Sequence, residues 1–176
     1  MVSIITPIIL NAGGVGVYVP YSLGIDVERT STEDITDIGS IYNYRLDKES
    51  GIGVAIGTNL GKDKVFGYKF ALEYTHPEVN NWVDDADKIE ILHTFEFSVV
   101  NTESVKLWLG PRINIGYEKF DNGYYDRDGI EIGIAPAIWI NLNLAQHFTI
   151  AFDIDYKQVL QAGSWNLGTN TGTYVG

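Results

Sequence analysis

The sequence predicts an all-β fold: an eight-stranded antiparallel up-and-down transmembrane β-barrel with short periplasmic turns and longer outer loops. Three observations carry this. From Ile130 the even positions read Ile130, Ile132, Ile134, Pro136, Ile138, Ile140, Leu142 and Leu144, while the odd positions between them are Glu131, Gly133, Ala135, Ala137, Trp139, Asn141 and Asn143. Successive side chains of a strand point to opposite faces, so one face is apolar and the other small or polar. The same alternation recurs along the chain, and the run is long enough to cross a bilayer when tilted. Finally, 45% of the residues are hydrophobic, yet no apolar stretch of about eighteen residues exists. A membrane barrel hides its hydrophobicity in this way, because every second residue is polar.

Strand one, near Gly14–Val27, sets Val15, Val17, Val19, Tyr21, Leu23 and Ile25 against Gly16, Tyr18, Pro20, Ser22 and Gly24. The second ends near Thr58, with Ile52, Val54 and Ile56 opposite Gly51, Gly53, Ala55 and Gly57. Strand three, near Lys64–Thr75, places Phe66, Tyr68, Phe70, Leu72 and Tyr74 opposite Gly67, Lys69, Ala71 and Glu73. Strand four, near Lys88–Val100, has Ile89, Ile91, Phe95, Phe97 and Val99 against Glu90, Thr94, Glu96 and Ser98. Strand five, near Val105–Phe120, has Val105, Leu107, Leu109, Ile113, Ile115 and Tyr117 against Lys106, Trp108, Gly110, Arg112, Asn114, Gly116 and Glu118. Strand six is the opening example. Strand seven, near Phe148–Val159, sets Phe148, Ile150, Phe152, Ile154 and Tyr156 against Thr149, Ala151, Asp153, Asp155 and Lys157. The eighth is expected in the tail, from about Trp165 to Val175.

Short connections fall at Asn59–Asp63, Asn101–Ser104 and Ala145–His147, and longer polar ones at Glu28–Tyr42, His76–Asp87, Asp121–Gly129 and Gln161–Ser164. This is the habit of outer-membrane barrels, and an even strand count puts both termini on the periplasmic side. The chain reads as a single domain over 1–176, with 1–12 an N-terminal extension or the start of strand one. Its first residues are apolar without Lys or Arg, which fits a chain whose export signal is gone.

Alternation alone does not say which face looks outward, since a soluble lipocalin-like barrel alternates with its apolar side chains inside. Two features favour apolar-out. The polar face is rich in Gly and Ala, which weaken an exposed strand but suit a narrow interior. It also carries both signs of charge at mid-strand: Lys69, Lys106, Arg112 and Lys157 with Glu73, Glu90, Glu96, Glu118, Glu131, Asp153 and Asp155. Charges inside a barrel must be paired, and adjacent strands are expected to set Arg112 beside Glu96 and Glu90. Trp108, Trp139 and Tyr18 point to the same interior and are expected to plug it. On the apolar face only His93 interrupts. Tyr21, Tyr44, Tyr74, Tyr117 and Tyr156 fall toward the loop-side strand ends, as in an aromatic girdle.

With these features the chain resembles the small eight-stranded outer-membrane barrels of Gram-negative bacteria: the outer-membrane protein X, opacity-protein and outer-membrane protein A barrel families. The resembling segments are Leu109-Gly110-Pro111-Arg112-Ile113-Asn114-Ile115-Gly116-Tyr117 and the hairpin from Ile130 to Tyr156. Within that hairpin, Asn141-Leu142-Asn143-Leu144-Ala145-Gln146-His147-Phe148-Thr149-Ile150 is similar to the last periplasmic turn of those families. The resemblance implies an outer-membrane location, contact with membrane lipid and lipopolysaccharide, and surface partners through the long loops. It departs from the family in ending on Tyr174-Val175-Gly176 instead of a terminal aromatic, as a truncated or unusual closing strand would.

No chemistry is legible. There is no cysteine, so neither a disulfide framework nor a thiolate metal site exists. The net charge of −11 argues against binding nucleic acid through its phosphates. His76, His93 and His147 lack the His-x-Ser spacing of the lipid A deacylases to which the resemblance extends, and no catalytic, cofactor-binding or metal-ligating set is assigned. Asp84, Asp85, Asp87, Asp121, Asp126 and Asp128 form acidic outer loops, read as solvated charge in preference to a Ca²⁺ site. The expected function is therefore a structural or surface-interaction role in the outer membrane. The alternatives are a narrow channel or small-solute carrier, and a soluble lipocalin-like ligand-binding barrel.

Overall fold

The computed structural model describes residues 2–10, 14–26, 45–58, 65–79, 85–121, 123, 125–145, 148–167 and 170–175; these form strands and the turns between them, with no helix. The strands are β1 (Val2–Leu10), β2 (Val15–Val19), β3 (Tyr21–Asp26), β4 (Arg45–Gly57), β5 (Phe66–Val79) and β6 (Asp85–Asn101), then β7 (Val105–Asp121), β8 (Tyr125–Ala145), β9 (Phe148–Tyr156), β10 (Gln158–Leu167) and β11 (Asn170–Val175). Pro20, which lacks a backbone N–H, interrupts what is otherwise one strand made of β2 and β3. β9 and β10 likewise continue each other across Lys157, so nine strands remain.

All pairings are antiparallel and follow the chain from hairpin to hairpin: β4 with β5, β5 with β6, β6 with β7, β7 with β8, and β8 with both β9 and β10. β1 pairs with β2 and β3 on one edge and with β9 on the other, so over these residues the sheet curls back on itself. Above Val2 nothing among the described residues bridges that seam. There β11 covers the edge of β10, and the sheet is not closed over its full height.

Alternation of burial follows the alternation of sequence. On β7 the buried side chains include Lys106, Trp108, Arg112, Asn114 and Glu118, whereas Leu109, Ile113, Ile115 and Tyr117 are exposed. On β6 the register shifts between Ser98 and Val100, and both Val99 and Val100 face outward. An extra residue in one strand lets two successive side chains share a face. The inward glycines make room for large neighbours. A Cβ on Gly53 would enter the ring of Tyr18, and one on Gly133 would enter the Asn114 amide. On Gly116 it would stand 3.0 Å from the side chains of both Glu90 and Glu131. This is the crowding that a small-residue inner face implies.

Several sequence expectations need correction. Val2–Leu10 is a strand of its own, and Val2 lies beside Tyr156 at the end of the sheet that carries the long connections, not at the short-turn end. Trp165 does not open an eighth strand; it belongs to β10, and the tail strand is the short β11. No loop exists at Gln161–Ser164, where β10 runs on against β8. The strands also reach further than their apolar stretches. His76 lies on β5, Asp85 and Asp87 on β6, Asp121 on β7, and Asp126 and Asp128 on β8. Polar residues at outward positions read as loop in the sequence, although backbone pairing continues through them. The connection at residues 28–42, Tyr44 and His147 lie outside the described residues.

Replacing Gly53 by valine should displace Tyr18 and cost about 1–3 kcal/mol of stability. Denaturant titration of the refolded chain checks this, and an unchanged midpoint would contradict the packing.

Candidate functional site: the charged interior

The inner face gathers ionisable side chains from β4 to β9 and from Lys157, which follows β9. Eight acidic and six basic side chains are buried among the described residues. Alternation delivers them: each stands two, four or six residues from another inward position on the same strand. They separate into two groups.

Nearer the short turns, Arg112 (1% exposed) is the hub. Its guanidinium donates to Asp153 through Nη2 and to Asp155 through Nη1, while Nε donates to Thr94 Oγ1 at 2.9 Å. The two aspartates lie on β9, separated from β7 by the whole of β8, so the bonds span the interior. Lys69 also donates to Asp153, and its ammonium lies 3.0 Å from the centre of the Trp139 ring. Trp108, Trp139 and Ala151 pack as an apolar cluster at this level. Nearby, Tyr18 donates to Glu73 Oε1 at 2.6 Å.

Toward the long connections, Lys88 and Lys157 stand between carboxylates. Lys157 Nζ donates to Glu90 Oε1 at 2.6 Å and to Glu131 Oε1 at 3.1 Å. Lys88 Nζ lies 2.7 Å from Glu131, 3.2 Å from Glu90 and 3.8 Å from Glu49. Asn114 adds donors to the same glutamates at 2.9 and 3.2 Å. Above them, Gln161 donates to Glu118 at 3.2 Å and accepts from Arg127.

Most of the expected charge network is thus brought together, with one change of partner. Arg112 does not pair with Glu96 or Glu90; on β6 it stands opposite Thr94, and its carboxylates come from across the sheet. The planar fork of the guanidinium holds both carboxylates at once, which a single glutamate on the neighbouring strand does not offer. Lys106 is buried but makes no ion pair among the described residues, and Glu96 is buried on the same face. The sequence reading missed Glu49, Lys88 and Arg127. Strand parity contains the signal: Lys88 shares the even face of Glu90, Glu49 the odd face of Gly51, and Arg127 the odd face of Glu131.

The acidic positions at the loop end do not converge. Asp87 accepts from Tyr74 Oη and lies 3.5 Å from His76 Nδ1. Asp121 caps the turn by accepting from the Gly123 N–H at 2.9 Å, which lowers its carboxyl pKa, and neighbouring Asp121 raises that of Asp126. Asp128 accepts from Ser164 at 2.6 Å, and Asp84 lies outside the described residues. These contacts belong to strand ends and a turn, not to a ligand cage.

His93, the interruption of the apolar face, has a partner. The Tyr68 hydroxyl and His93 Nδ1 are 2.5 Å apart, and Phe70 and Phe95 pack around the pair with ring centres at 5.5 Å. Two polar groups therefore satisfy each other on an apolar surface. Set against known protein families, curated proteins and solved structures, the chain matches none.

Replacing Arg112 by leucine leaves Asp155 without its cation and Asp153 with Lys69 alone, and should cost about 3–5 kcal/mol, or prevent folding, with Arg112→Lys intermediate because the forked geometry is lost. Equilibrium unfolding checks the order. Tyr68→Phe leaves His93 unpartnered and should cost about 1–3 kcal/mol, of which a second change, His93→Phe, recovers most. A double-mutant cycle showing simple additivity would contradict the pairing.

Proposed function

We propose that this chain is an outer-membrane β-barrel with a structural or surface-interaction role, its interior plugged by side chains. One observation carries the reading: the sheet is inverted relative to a soluble protein. Arg112, Asp153, Glu90 and Lys88 are buried, while Ile132 and Ile134 are 57% and 58% exposed. Val15, Val17, Ile52, Val54, Ile113, Ile115, Ile130 and Ile154 are exposed with them. Soluble monomers rarely expose contiguous apolar patches beyond a few hundred Å². A hydrocarbon surround turns this band from a liability into the main source of stability.

The band has a polar border. Tyr74 and Tyr117 are exposed in one cross-strand row, with Ile89 between them. Beyond that row the outward positions are His76, Asp87, Lys119, Asp126 and Asp128. Tyrosine suits such a boundary because its ring is apolar and its hydroxyl wet. At the other end Asn101, Thr102, Glu103 and Ser104 are exposed. On this reading, lipid and lipopolysaccharide contact the band, and the long connections offer sites to surface partners. A lipocalin-like binder would need its aliphatic side chains to line a cavity, whereas here they are on the outer face.

The test is folding into lipid vesicles, followed by gel mobility with and without boiling. The refolded chain should require detergent or lipid and migrate differently once boiled; a monodisperse chain free of both would overturn the reading. Within the same assay, Ile132→Lys at the middle of the band should cost about 2–4 kcal/mol of folding into bilayers. In a soluble protein the same exposed change would be near neutral.

A further inference from the structure

The hydrogen bonding of the interior is incomplete among the described residues. Glu49 Oε2, Trp108 Nε1, Asn114 Oδ1, Asp153 Oδ1 and Asp155 Oδ1 are buried and have no partner. A buried polar atom left unpaired costs about 1–3 kcal/mol, and more when charged, so such atoms in native proteins are met by water. Polar interior sites of this kind hold water, whereas apolar voids stay dry.

These five atoms are spread along the strands instead of gathered at one level. Trp108 pairs in register with Trp139, and Trp139 with Asp153, near the short turns. Asp155 lies two residues further along β9. Asn114 lies six residues beyond Trp108 on β7. Glu49 accepts from Thr75, whose row runs through Lys88 to Glu118, four residues beyond Asn114. The rows from Trp108 to Glu118 span about 30 Å of strand. Between them stand the carboxylates of Glu73, Glu90 and Glu131, themselves hydrogen-bonding groups.

Charge and bulk then select what such a path passes. The buried set has eight acids against six bases, which favours cations over anions. Tyr18, Trp108, Trp139 and Arg112 are buried on the inner face, where side chains of this size narrow a small barrel below the width of a solute. A proton needs only a connected chain of hydrogen bonds. Resting on the membrane reading above, we propose that the interior holds a file of water linking these polar atoms, and that this file passes protons across the barrel while excluding larger solutes.

The experiment reconstitutes the full chain in liposomes holding a trapped pH-sensitive dye, with potassium and valinomycin clamping the potential, and applies a step in external pH. Gel mobility of the same vesicles reports the folded fraction. The expected result is a proton relaxation at least about fivefold faster than in protein-free vesicles, with no uptake of glucose on that timescale. Asn114→Leu should slow it at least about threefold. If that variant does not fold, Trp108→Phe removes another polar atom from the path with little change of volume and should slow it likewise. Folded protein with the protein-free rate overturns the proposal, as does glucose entry at the proton rate or an unchanged rate in a folded variant. A chain that never folds into the vesicles overturns the membrane reading itself, and the two failures are told apart by the gel.

Discussion

The rest of the structure depends on the mutual neutralisation of charges inside a curled sheet. Arg112, Lys69, Asp153 and Asp155 form one group and Lys88, Lys157, Glu90 and Glu131 another, and each includes pairs between strands that are not neighbours. Each ion is costly to take from water, and only close pairing returns that cost. The groups therefore act as specificity devices as much as sources of stability. A strand slipped by one residue would turn its ions outward and its aliphatic side chains inward, which breaks both faces together.

That constraint explains the small residues. Asn114 on β7 stands opposite Gly133 on β8, and Glu131 on β8 opposite Gly116 on β7, because long side chains crossing a narrow interior take up the room of their neighbours. Gly53 yields to Tyr18 in the same way, and Tyr18 in turn reaches Glu73. The alternation of large-charged with small-apolar residues is one packing solution read from two sides.

Much of this was legible beforehand. Period-two patterning placed Ile130–Leu144 and Val105–Tyr117 on strands with the correct faces, because the apolar and polar sets there are nearly pure. It also gave the membership of the interior, since parity alone assigns Arg112 and Asp153 to the same side. Partner choice was not legible: Asp153 and Asp155 reach Arg112 across an intervening strand, and no sequence spacing encodes that distance. Strand ends were also misread. Asp87, Asp126 and Asp128 are as polar as loop residues, yet their backbone stays paired. The strand at the start of the chain was hidden because Val2–Leu10 is mostly apolar at both odd and even positions and so lacks alternation.

The seam made by β1 has a consequence for how the chain assembles. Every other ladder in the sheet joins segments that follow one another or nearly so, whereas β1 pairs Val2 with Tyr156 and Leu10 with Phe148. Contacts of such long sequence separation close a loop of almost the entire chain, and their entropic cost falls due before any reward. Hairpins from β4 to β9 can zip locally and in succession. On this topology the β1–β9 seam is the ladder with the highest closure cost, and it is expected to form after the local hairpins.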